Sequence, residues 1–247
     1  CAVVPLPGVP KVIRPGLAQR NELGGEPTPY SHWGARRAGN PADVEAVAQG
    51  RAGVQDEGSQ LMVAALTRPP APRGPWLDLC AGPGGKAALL AGLAMGEGTL
   101  LLASEKQPHR AALVARALGV YSGEHAPFVI AADGTAPAWP SGTFARVMAD
   151  VPCTGLGALR RRPEARWRRT LADLDALVPL QRDLLAAALD SAAPGGVVAY
   201  VTCSPHRHET TEVVQAVLAG RDDVSVLDAP ALLGVPDAER GDFVQLW

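Results

Sequence analysis

The stretch Asp78-Leu79-Cys80-Ala81-Gly82-Pro83-Gly84-Gly85-Lys86 decides the fold of this chain. The stretch begins within an apolar run over Trp76–Cys80, which predicts a strand. It leads into a helical pattern over Lys86–Ala94. Glycines in such a turn allow close backbone approach, and the helix amino terminus offers free amides to a ligand. The turn is neither GxGxxG, because Pro83 interrupts it, nor a Walker loop, because no Ser or Thr follows Lys86. It predicts a strand–turn–helix unit of another ligand-binding type.

Strand and helix patterns alternate after this turn. Strands are predicted over Thr99–Ser104, Phe128–Ala132, Phe144–Asp150, Val197–Thr202, Val224–Leu227 and Phe243–Trp247. Helices are predicted over Pro108–Leu118, over Asp173–Ala192 with Gly195-Gly196 as its stop, and over Glu209–Leu218. Apolar strands that alternate with helices are typical of a mostly parallel sheet covered on both faces. The sequence therefore predicts an α/β fold.

Residues 1–54 have a different pattern, with many prolines and weak periodicity. We expect irregular structure there with short strands at most, and one helix in which Asn40 caps Pro41 and Ala42–Gln49 follow. The chain begins with Cys1 rather than Met and stops at Trp247 within an apolar run. We therefore expect a piece of a longer protein, divided into residues 1–54 and a main domain over 55–247.

Composition excludes several classes of protein. The 247 residues are 47% hydrophobic and 19% charged, which is too apolar for a disordered chain. No stretch approaches the roughly 18 apolar residues of a membrane span. The net charge of -2 excludes a uniformly basic nucleic-acid module, but it allows a local basic surface. The four cysteines are too few and too scattered for a disulfide scaffold or a zinc site, so we expect no metal.

Four carboxylates stand at the predicted ends of successive strands: Asp78, Glu105, Asp133 and Asp150. Glu105 follows the glycine turn by roughly twenty residues, which is where a ribose-binding carboxylate belongs in nucleoside-binding α/β units. The carboxyl ends of parallel strands line the ligand crevice of such sheets. Each carboxylate alone could simply cap the next helix or turn. Their recurrence favours a nucleoside ligand.

Two cysteines each follow a predicted apolar strand, in Asp150-Val151-Pro152-Cys153 and in Thr202-Cys203-Ser204-Pro205. A lone cysteine in such a place is usually a small buried hydrophobe. A pair could also form a disulfide, although reducing intracellular conditions disfavour one. A thiolate is nevertheless a good nucleophile near neutral pH when nearby amides or cations activate it. Two cysteines at neighbouring strand ends favour the chemical role.

These two motifs and the glycine turn together resemble the RsmB/Nop2/Sun family of RNA cytosine-5 methyltransferases. The resemblance extends from about residue 50 to the end, and Gly53–Gln60 resembles the segment that leads into that family's catalytic domain. The departures are Gly82 and Val151 in place of alanine and Thr154 in place of serine, and none removes a required functional group. The resemblance implies a Rossmann-like class I methyltransferase fold. It makes 55–247 the catalytic domain and 1–54 the remnant of an upstream RNA-binding or linker region.

The resemblance also implies a mechanism. Cys203 would add to carbon 6 of cytosine, carbon 5 would take a methyl group from S-adenosylmethionine, and Cys153 would assist product release. Asp150 would lie at the base edge, Glu105 on the cofactor's ribose and Asp133 near its adenine. The remaining cofactor-binding residues would be Cys80, Ala81, Gly82, Pro83, Gly84, Gly85 and Lys86, with Asp150 at the border of both sites.

A cluster of arginines follows the Cys153 motif: Arg160, Arg161, Arg162, Arg166, Arg168 and Arg169. Arginine suits phosphate contacts, and Trp167 among these residues could stack on a base. The cluster could instead be a solvated helix face with Trp167 packed inward. Beside a nucleophile loop we expect RNA binding, with ribosomal RNA favoured over transfer RNA. We also expect a monomeric, cytoplasmic protein without membrane contacts.

Three other functions compete with this interpretation. A nicotinamide-dependent oxidoreductase would need GxGxxG, which is absent, and would leave the two cysteine motifs without a task. A non-catalytic RNA-binding member of the same fold would not need the retained Cys203, Cys153 and Asp150. A DNA cytosine-5 methyltransferase would use the Pro-Cys cysteine as its nucleophile and would lack the Thr-Cys-Ser-Pro motif.

Overall fold

The computed structural model describes residues 2–5, 23, 25–159, 163–235 and 238–246. The amino-terminal part forms a small antiparallel sheet with the strand order β2-β3-β1-β4. This agrees with the expectation of short strands only. The four strands are β1 (Ala2–Pro5), β2 (Glu26–Pro27), β3 (Ala35–Arg36) and β4 (Ala52–Gln55).

The helix predicted between β3 and β4 is split in two. Asn40 caps it as expected, since the Ala42 amide donates to Asn40 Oδ1 at 3.1 Å. The backbone then turns extended at Val44, so a 3-10 turn (Pro41–Asp43) precedes the short helix α1 (Glu45–Ala48). The continuous helix over Ala42–Gln49 is therefore wrong.

Helix α2 (Glu57–Thr67) joins the amino-terminal sheet to the rest of the molecule. Glu57 accepts hydrogen bonds from the amides of Tyr30 and Ser31 at 2.6 and 2.9 Å. Trp33 is buried in the same core cluster as Leu61 of this helix. The amino-terminal part thus packs directly on the main domain.

The centre of the molecule is a five-stranded parallel sheet with the order β7-β6-β5-β8-β9. Every residue of β5 is buried, and so are the first six of β8, which explains their unbroken apolar pattern. The α/β fold with a parallel sheet is confirmed. The strands are β5 (Trp76–Asp78), β6 (Leu101–Ser104), β7 (Phe128–Ile130), β8 (Phe144–Asp150) and β9 (Ala192–Val201).

Helices cover both faces of this sheet. Neighbouring residues of a strand point to opposite faces, so Trp76 packs in one core with Leu89, whereas Leu77 packs in a second core with Leu184. Both faces are therefore buried against helices. The helices are α3 (Gly85–Gly96), α4 (Pro108–Leu118), α5 (Ala165–Arg168), α6 (Leu171–Ser191), α7 (Thr211–Leu218) and α8 (Ala229–Leu233).

The transition from α6 to β9 differs from the prediction. The helix begins with a capping box between Thr170 and Asp173, and it ends at Ser191, before the glycine pair 195–196 that was expected to stop it. Those glycines lie inside β9, where the pairing with β8 shifts register, and Gly195 has a φ of +74°. They therefore shape a strand irregularity rather than a helix end.

The last predicted strands differ as well. Val224–Leu227 forms no strand, because β9 is the edge of the sheet and no neighbour pairs with this segment. Strand β11 (Phe243–Val244) is shorter than predicted and pairs only with β10 (Glu239–Arg240), while Trp247 lies outside the described residues. Among the described residues, we find no helix with the length and hydropathy needed to cross a membrane.

Strand order fixes where a ligand can bind. The chain builds β5, β6 and β7 in one direction, then returns to the other side of β5 with β8 and β9. The crevice between β5 and β8 is thus the point at which the strand order reverses, and open α/β sheets bind ligands there. The glycine turn follows β5 and Asp150 ends β8, so both border this crevice.

Candidate active site

The glycine turn leads directly from β5 into α3. Gly84 caps the helix with a φ of +110°, and a Cβ there would lie 2.8 Å from the Cβ of Ala117. Glycine is thus required at this position for both conformation and space. A Cβ at Gly85 would meet no atom within 4 Å. The turn is therefore tightly packed on its inner side and open at the start of α3, where the free amides lie.

Glu105 lies against this turn, as the sequence predicted. Its carboxylate accepts from the Gly82 amide at 3.1 Å and from the Gln107 amide at 2.9 Å. Arg110 completes the arrangement by donating to the Gly82 carbonyl at 2.6 Å. A Cβ at residue 82 would collide with the Glu105 carboxylate, so glycine in place of the family's alanine makes room for it. Arg110 carried no sequence signal, because it lies inside an ordinary helical pattern.

Asp133 lies beside Glu105 at the next strand end. The Ala132 amide donates to the Glu105 carbonyl at 3.3 Å, which brings the two loops together. Lys106 pairs with Asp133 at 2.6 Å, and Thr135 donates to it from amide and hydroxyl. These bonds, the one from Lys106 foremost, lower the pKa of Asp133 to about 2. The loop thus presents a permanent carboxylate.

Asp78 and Lys86 lie deeper in the crevice. Asp78 is buried, and the Cys80 backbone amide is among the groups that lower the pKa of its carboxyl. Burial, helped by the charge of Asp150, raises the pKa of Asp78 to about 7. Lys86 donates to Asp150 Oδ2 at 2.8 Å. Burial opposes the charge of Lys86, but the Asp150 carboxylate outweighs it and raises the pKa of Lys86. The crevice thus contains a lysine–carboxylate ion pair.

The two cysteines predicted to react lie together. Their sulfur atoms are 3.2 Å apart, and Cys203 is exposed whereas Cys153 is half-buried. The hydrogen bond from Cys153 is the main reason that the pKa of Cys203 falls to about 7; Lys86 also lowers it, against burial and Asp150. The same hydrogen bond, together with burial, raises the pKa of Cys153. The thiolate therefore resides on Cys203 and the proton on Cys153.

The third described cysteine is different. Cys80 lies in the glycine turn, and burial followed by the charge of Asp78 raises the pKa of its thiol. Cys80 is therefore a neutral thiol at physiological pH, suited to a backbone contact with a ligand rather than to nucleophilic attack.

A buried carboxylate that the sequence did not reveal lies behind the two cysteine loops. Glu209 is fully buried and accepts hydrogen bonds from Thr154, Ser204 and Gln181. The sequence placed Glu209 only at the start of a helix, which begins instead at Thr211 after a 3-10 turn over Arg207–Glu209. No local pattern marks its partners, because they come from three separate segments.

The arginines of the cluster differ in their surroundings. Arg160, Arg161 and Arg162 lie outside the described residues. Arg166 and Arg168 are exposed on α5, and Trp167 between them is 84% exposed, so the inward packing considered for Trp167 is wrong. Arg169 instead donates to the Thr154 carbonyl at 2.9 Å and pairs with Asp173 at 3.5 Å. One arginine thus anchors the Cys153 loop, while two described neighbours face solvent.

Comparisons with known proteins identify the family of this chain. The family model described as 16S rRNA methyltransferase RsmB/F matches residues 65–238. Rv1407 of Mycobacterium tuberculosis, which is named as a methyltransferase, is 46% identical over 98% of this chain and 53% of its own length. The ribosomal RNA small subunit methyltransferase B of Pseudomonas syringae is 35% identical over 80% of this chain and 44% of its own. The chain spans about half the length of these curated relatives.

Solved structures show the same fold. A methyltransferase homolog from Pyrococcus horikoshii superposes with a TM-score of 0.67 at 23% identity, covering 89% of this chain and 70% of that one. NSun6 from Pyrococcus horikoshii gives a TM-score of 0.61 at 24% identity, covering 74% and 46%. With the family model and the relatives that match along most of its length, this chain belongs to the RsmB/F family of 16S rRNA methyltransferases.

Proposed function

We propose that this chain is the catalytic part of an S-adenosylmethionine-dependent RNA cytosine-5 methyltransferase, with residues 55–247 as its catalytic domain. The observation that carries the proposal is the position of the Cys203 sulfur, which is exposed and lies 3.2 Å from the Cys153 sulfur. Cys153 and Lys86 both lower the pKa of this thiol, and Lys86 pairs with Asp150. Carbon 5 of cytosine is too weak a nucleophile to take a methyl group unaided. A thiolate that can add to carbon 6 is what this reaction needs.

The residues at the crevice fit S-adenosylmethionine, which supplies an electrophilic methyl group when bound. The open side of the turn at Gly85 leaves space over free helix amides. Glu105 is proposed to bind the ribose hydroxyls and Asp133 to lie at the adenine end. The proposed cradle consists of Cys80, Ala81, Gly82, Pro83, Gly84, Gly85 and Lys86, with Asp150 where cofactor and base meet.

Cys203 begins the proposed reaction by forming a bond from its sulfur to carbon 6. The ring electrons shift towards carbon 5, which would then bond to the methyl carbon as the bond from that carbon to the donor's sulfonium sulfur breaks and a neutral thioether leaves. Asp150 at the base edge stabilises the ring by hydrogen bonding or protonation. Removal of the carbon 5 proton next restores the double bond and expels the Cys203 thiolate. Each bond that forms is thus matched by one that breaks.

Cys153 is proposed to assist this release, and its pKa explains the timing. While Cys203 is a thiolate, the hydrogen bond to it keeps the pKa of Cys153 raised. Once Cys203 is a neutral thioether, that hydrogen bond and the negative charge are gone, so Cys153 loses its proton more readily. Cys153, 3.2 Å from the Cys203 sulfur, is therefore proposed to act as a base only after the adduct has formed, with burial still raising its pKa.

The arginine cluster and Trp167 are proposed to hold the RNA. Arg166 and Arg168 face solvent on either side of the exposed indole, which suits phosphate contacts flanking a stacked base. The proposal also includes Arg160, Arg161, Arg162 and Arg169, which are their neighbours in the sequence. The names of the relatives favour ribosomal RNA of the small subunit as the substrate. We expect the enzyme to act as a cytoplasmic monomer.

The test is transfer of a labelled methyl group from S-adenosylmethionine to purified ribosomal or transfer RNA by the full-length protein, followed by mapping of the product. We expect 5-methylcytosine in small-subunit ribosomal RNA. Cys203→Ala should abolish transfer but retain cofactor binding, whereas Cys153→Ala should accumulate a covalent protein–RNA adduct visible in denaturing gels. The opposite behaviour of the two variants would reverse their roles. No incorporation by the wild type would leave a binding protein.

A further inference from the structure

Glu209 is buried between the two cysteine loops, and the reaction as described above does not use it. We propose that Glu209 is a positioning residue that holds the Cys153 loop and the Cys203 loop in register, so that their sulfur atoms stay in contact. The consequence of this positioning role for methyl transfer rests on the proposed function. The contact between the two sulfur atoms can be measured without RNA or cofactor.

The first contact is with the Cys153 loop. Thr154, the residue next to Cys153, donates its amide to Glu209 Oε1 at 2.8 Å and its hydroxyl to Oε2 at 2.5 Å. Thr154 is 1% exposed, so water does not replace these bonds. The side chain of Glu209 therefore fixes both backbone and side chain directly beside one of the reactive thiols.

The second contact is with the Cys203 loop. The hydroxyl of Ser204, next to Cys203, donates a short hydrogen bond to Glu209 Oε2, the same oxygen that receives the Thr154 hydroxyl. The two hydroxyl oxygens consequently lie 3.2 Å apart, and the Gly157 amide donates to the Cys203 carbonyl at 2.9 Å. One carboxylate oxygen thus joins the residues that follow both cysteines.

The third contact ties this arrangement to the long helix α6. Gln181 of that helix donates to Glu209 Oε1 at 3.0 Å and to the Pro152 carbonyl at 2.8 Å. The Tyr200 hydroxyl of β9 donates to the Glu209 carbonyl at 2.8 Å. Glu209 is therefore held from the helix and from the sheet, and it can resist displacement of either loop.

The charge of Glu209 suits this role. Burial disfavours the carboxylate, but the hydrogen bonds from Ser204 and Thr154 outweigh it and lower the pKa of Glu209. An ionised carboxylate is an acceptor at both oxygens, so all four donors can point at it at once. Glutamine could keep the same contacts, with its oxygen in the place of Oε1 and its amino group donating to the two hydroxyls, which can rotate to accept.

The test measures how fast Cys153 and Cys203 join in the full chain when diamide, a mild two-electron oxidant, is added. This disulfide closure forms a bond between the two sulfur atoms and transfers two protons and two electrons to diamide. The disulfide-linked peptides are followed by mass spectrometry. Glu209→Ala should slow closure at least tenfold. Glu209→Gln should close within about threefold of wild type. Glu212→Ala is the matched control, because Glu212 is two residues into α7 and bonds only outward to Arg207 and His208; its rate should not change.

A second readout separates positioning from general loss of structure. The pH midpoint for alkylation of Cys203 should rise in Glu209→Ala, because the hydrogen bond from Cys153 that holds it near 7 is broken. It should return towards 7 in Glu209→Gln. Should Glu209→Ala fail to fold, Glu209→Asp keeps the charge but shortens the reach to the two loops, and closure should slow at least threefold. Wild-type closure rates in Glu209→Ala or Glu209→Asp would overturn the proposal, as would equal losses in Ala and Gln.

These outcomes are distinct from failure of the proposed function. If the wild type closes rapidly and Glu209→Ala slowly, the positioning role stands even when no methyl group is transferred to any RNA tested. If methyl transfer occurs and closure does not depend on Glu209, the proposed function stands and the positioning role falls.

Discussion

Removing Cys153 should change the acidity of Cys203 by an amount that the structure allows us to work out. The hydrogen bond from Cys153 across 3.2 Å is the largest cause of the lowered pKa of Cys203, about 7 against an ordinary 9.0. In Cys153→Ala this cause disappears, while burial and Asp150 continue to raise the pKa and Lys86 to lower it. We therefore expect the alkylation midpoint of Cys203 to move from about 7 to about 9.

The size of the effect on rate follows from two opposing factors. At pH 7 about half of Cys203 is thiolate in the wild type, but only about one part in a hundred in the variant, a loss of roughly fiftyfold. A thiolate with a higher pKa is a better nucleophile. With a Brønsted slope of about 0.4–0.5, a pKa that is two units higher makes each thiolate react roughly eightfold faster. Alkylation at pH 7 should thus slow about sixfold, whereas above pH 10 the variant should react faster than the wild type. Because Cys203 is exposed, water screens part of the shift and sixfold is an upper figure.

The assay is iodoacetamide alkylation between pH 5 and 11, with the Cys203 peptide followed by mass spectrometry. Cys80 should stay silent near neutrality, because burial raises the pKa of its thiol. Cys203→Ala identifies the peptide that carries the signal. The two pH profiles should cross between pH 7 and 10. A midpoint that stays near 7 without Cys153 would show that the thiol contact does not set the acidity of Cys203.

Two further substitutions test the cofactor turn and the RNA surface. Gly82→Ala would place a Cβ against the Glu105 carboxylate and 2.7 Å from the Arg110 Nε. The variant should therefore lose about 1–3 kcal/mol of unfolding free energy, measured in urea. Gly96→Ala is the control, because a Cβ there meets nothing within 4 Å, and its unfolding free energy should not fall. Trp167→Ala should leave the melting temperature unchanged, because the indole is 84% exposed, but it should weaken RNA binding by about 1–3 kcal/mol in a fluorescence titration. A destabilised Trp167→Ala with unchanged RNA affinity would contradict the stacking role.

The parallel sheet could be predicted because its central strands β5 and β8 are buried on both faces and read as unbroken apolar runs. The same criterion failed at Val224–Leu227, which has the composition of a strand but no neighbour with which to pair. It also misplaced the start of β9, which begins at Ala192 rather than at Val197, because Gly195 and Gly196 lie within the strand at a register shift between β8 and β9. Pairing between distant segments decided both cases, and a local pattern carries no information about it.

The meeting of Cys153 and Cys203 depends on strand register, which the sequence alone does not specify. Asp150 at the end of β8 pairs with Val201 at the end of β9, so the two strands stop at the same level. Neighbouring strands lie about 4.8 Å apart, and Cys153 and Cys203 follow these ends by a few residues, so short loops suffice to bring the sulfur atoms together. A register slip by one residue would turn every side chain of one strand to the other face of the sheet and separate the motifs.

Register brings the loops near each other, but it does not hold two sulfur atoms at 3.2 Å. One thiolate and one thiol can share a proton only while both loops keep their places. Pro152 directly precedes Cys153, and Pro205 follows Cys203 by two residues. The short contact therefore needs a tie between the loops beyond the ends of the strands, and Glu209 is placed to provide it. The low pKa of Cys203 is therefore a property of the two assembled loops, and neither cysteine motif would produce it alone.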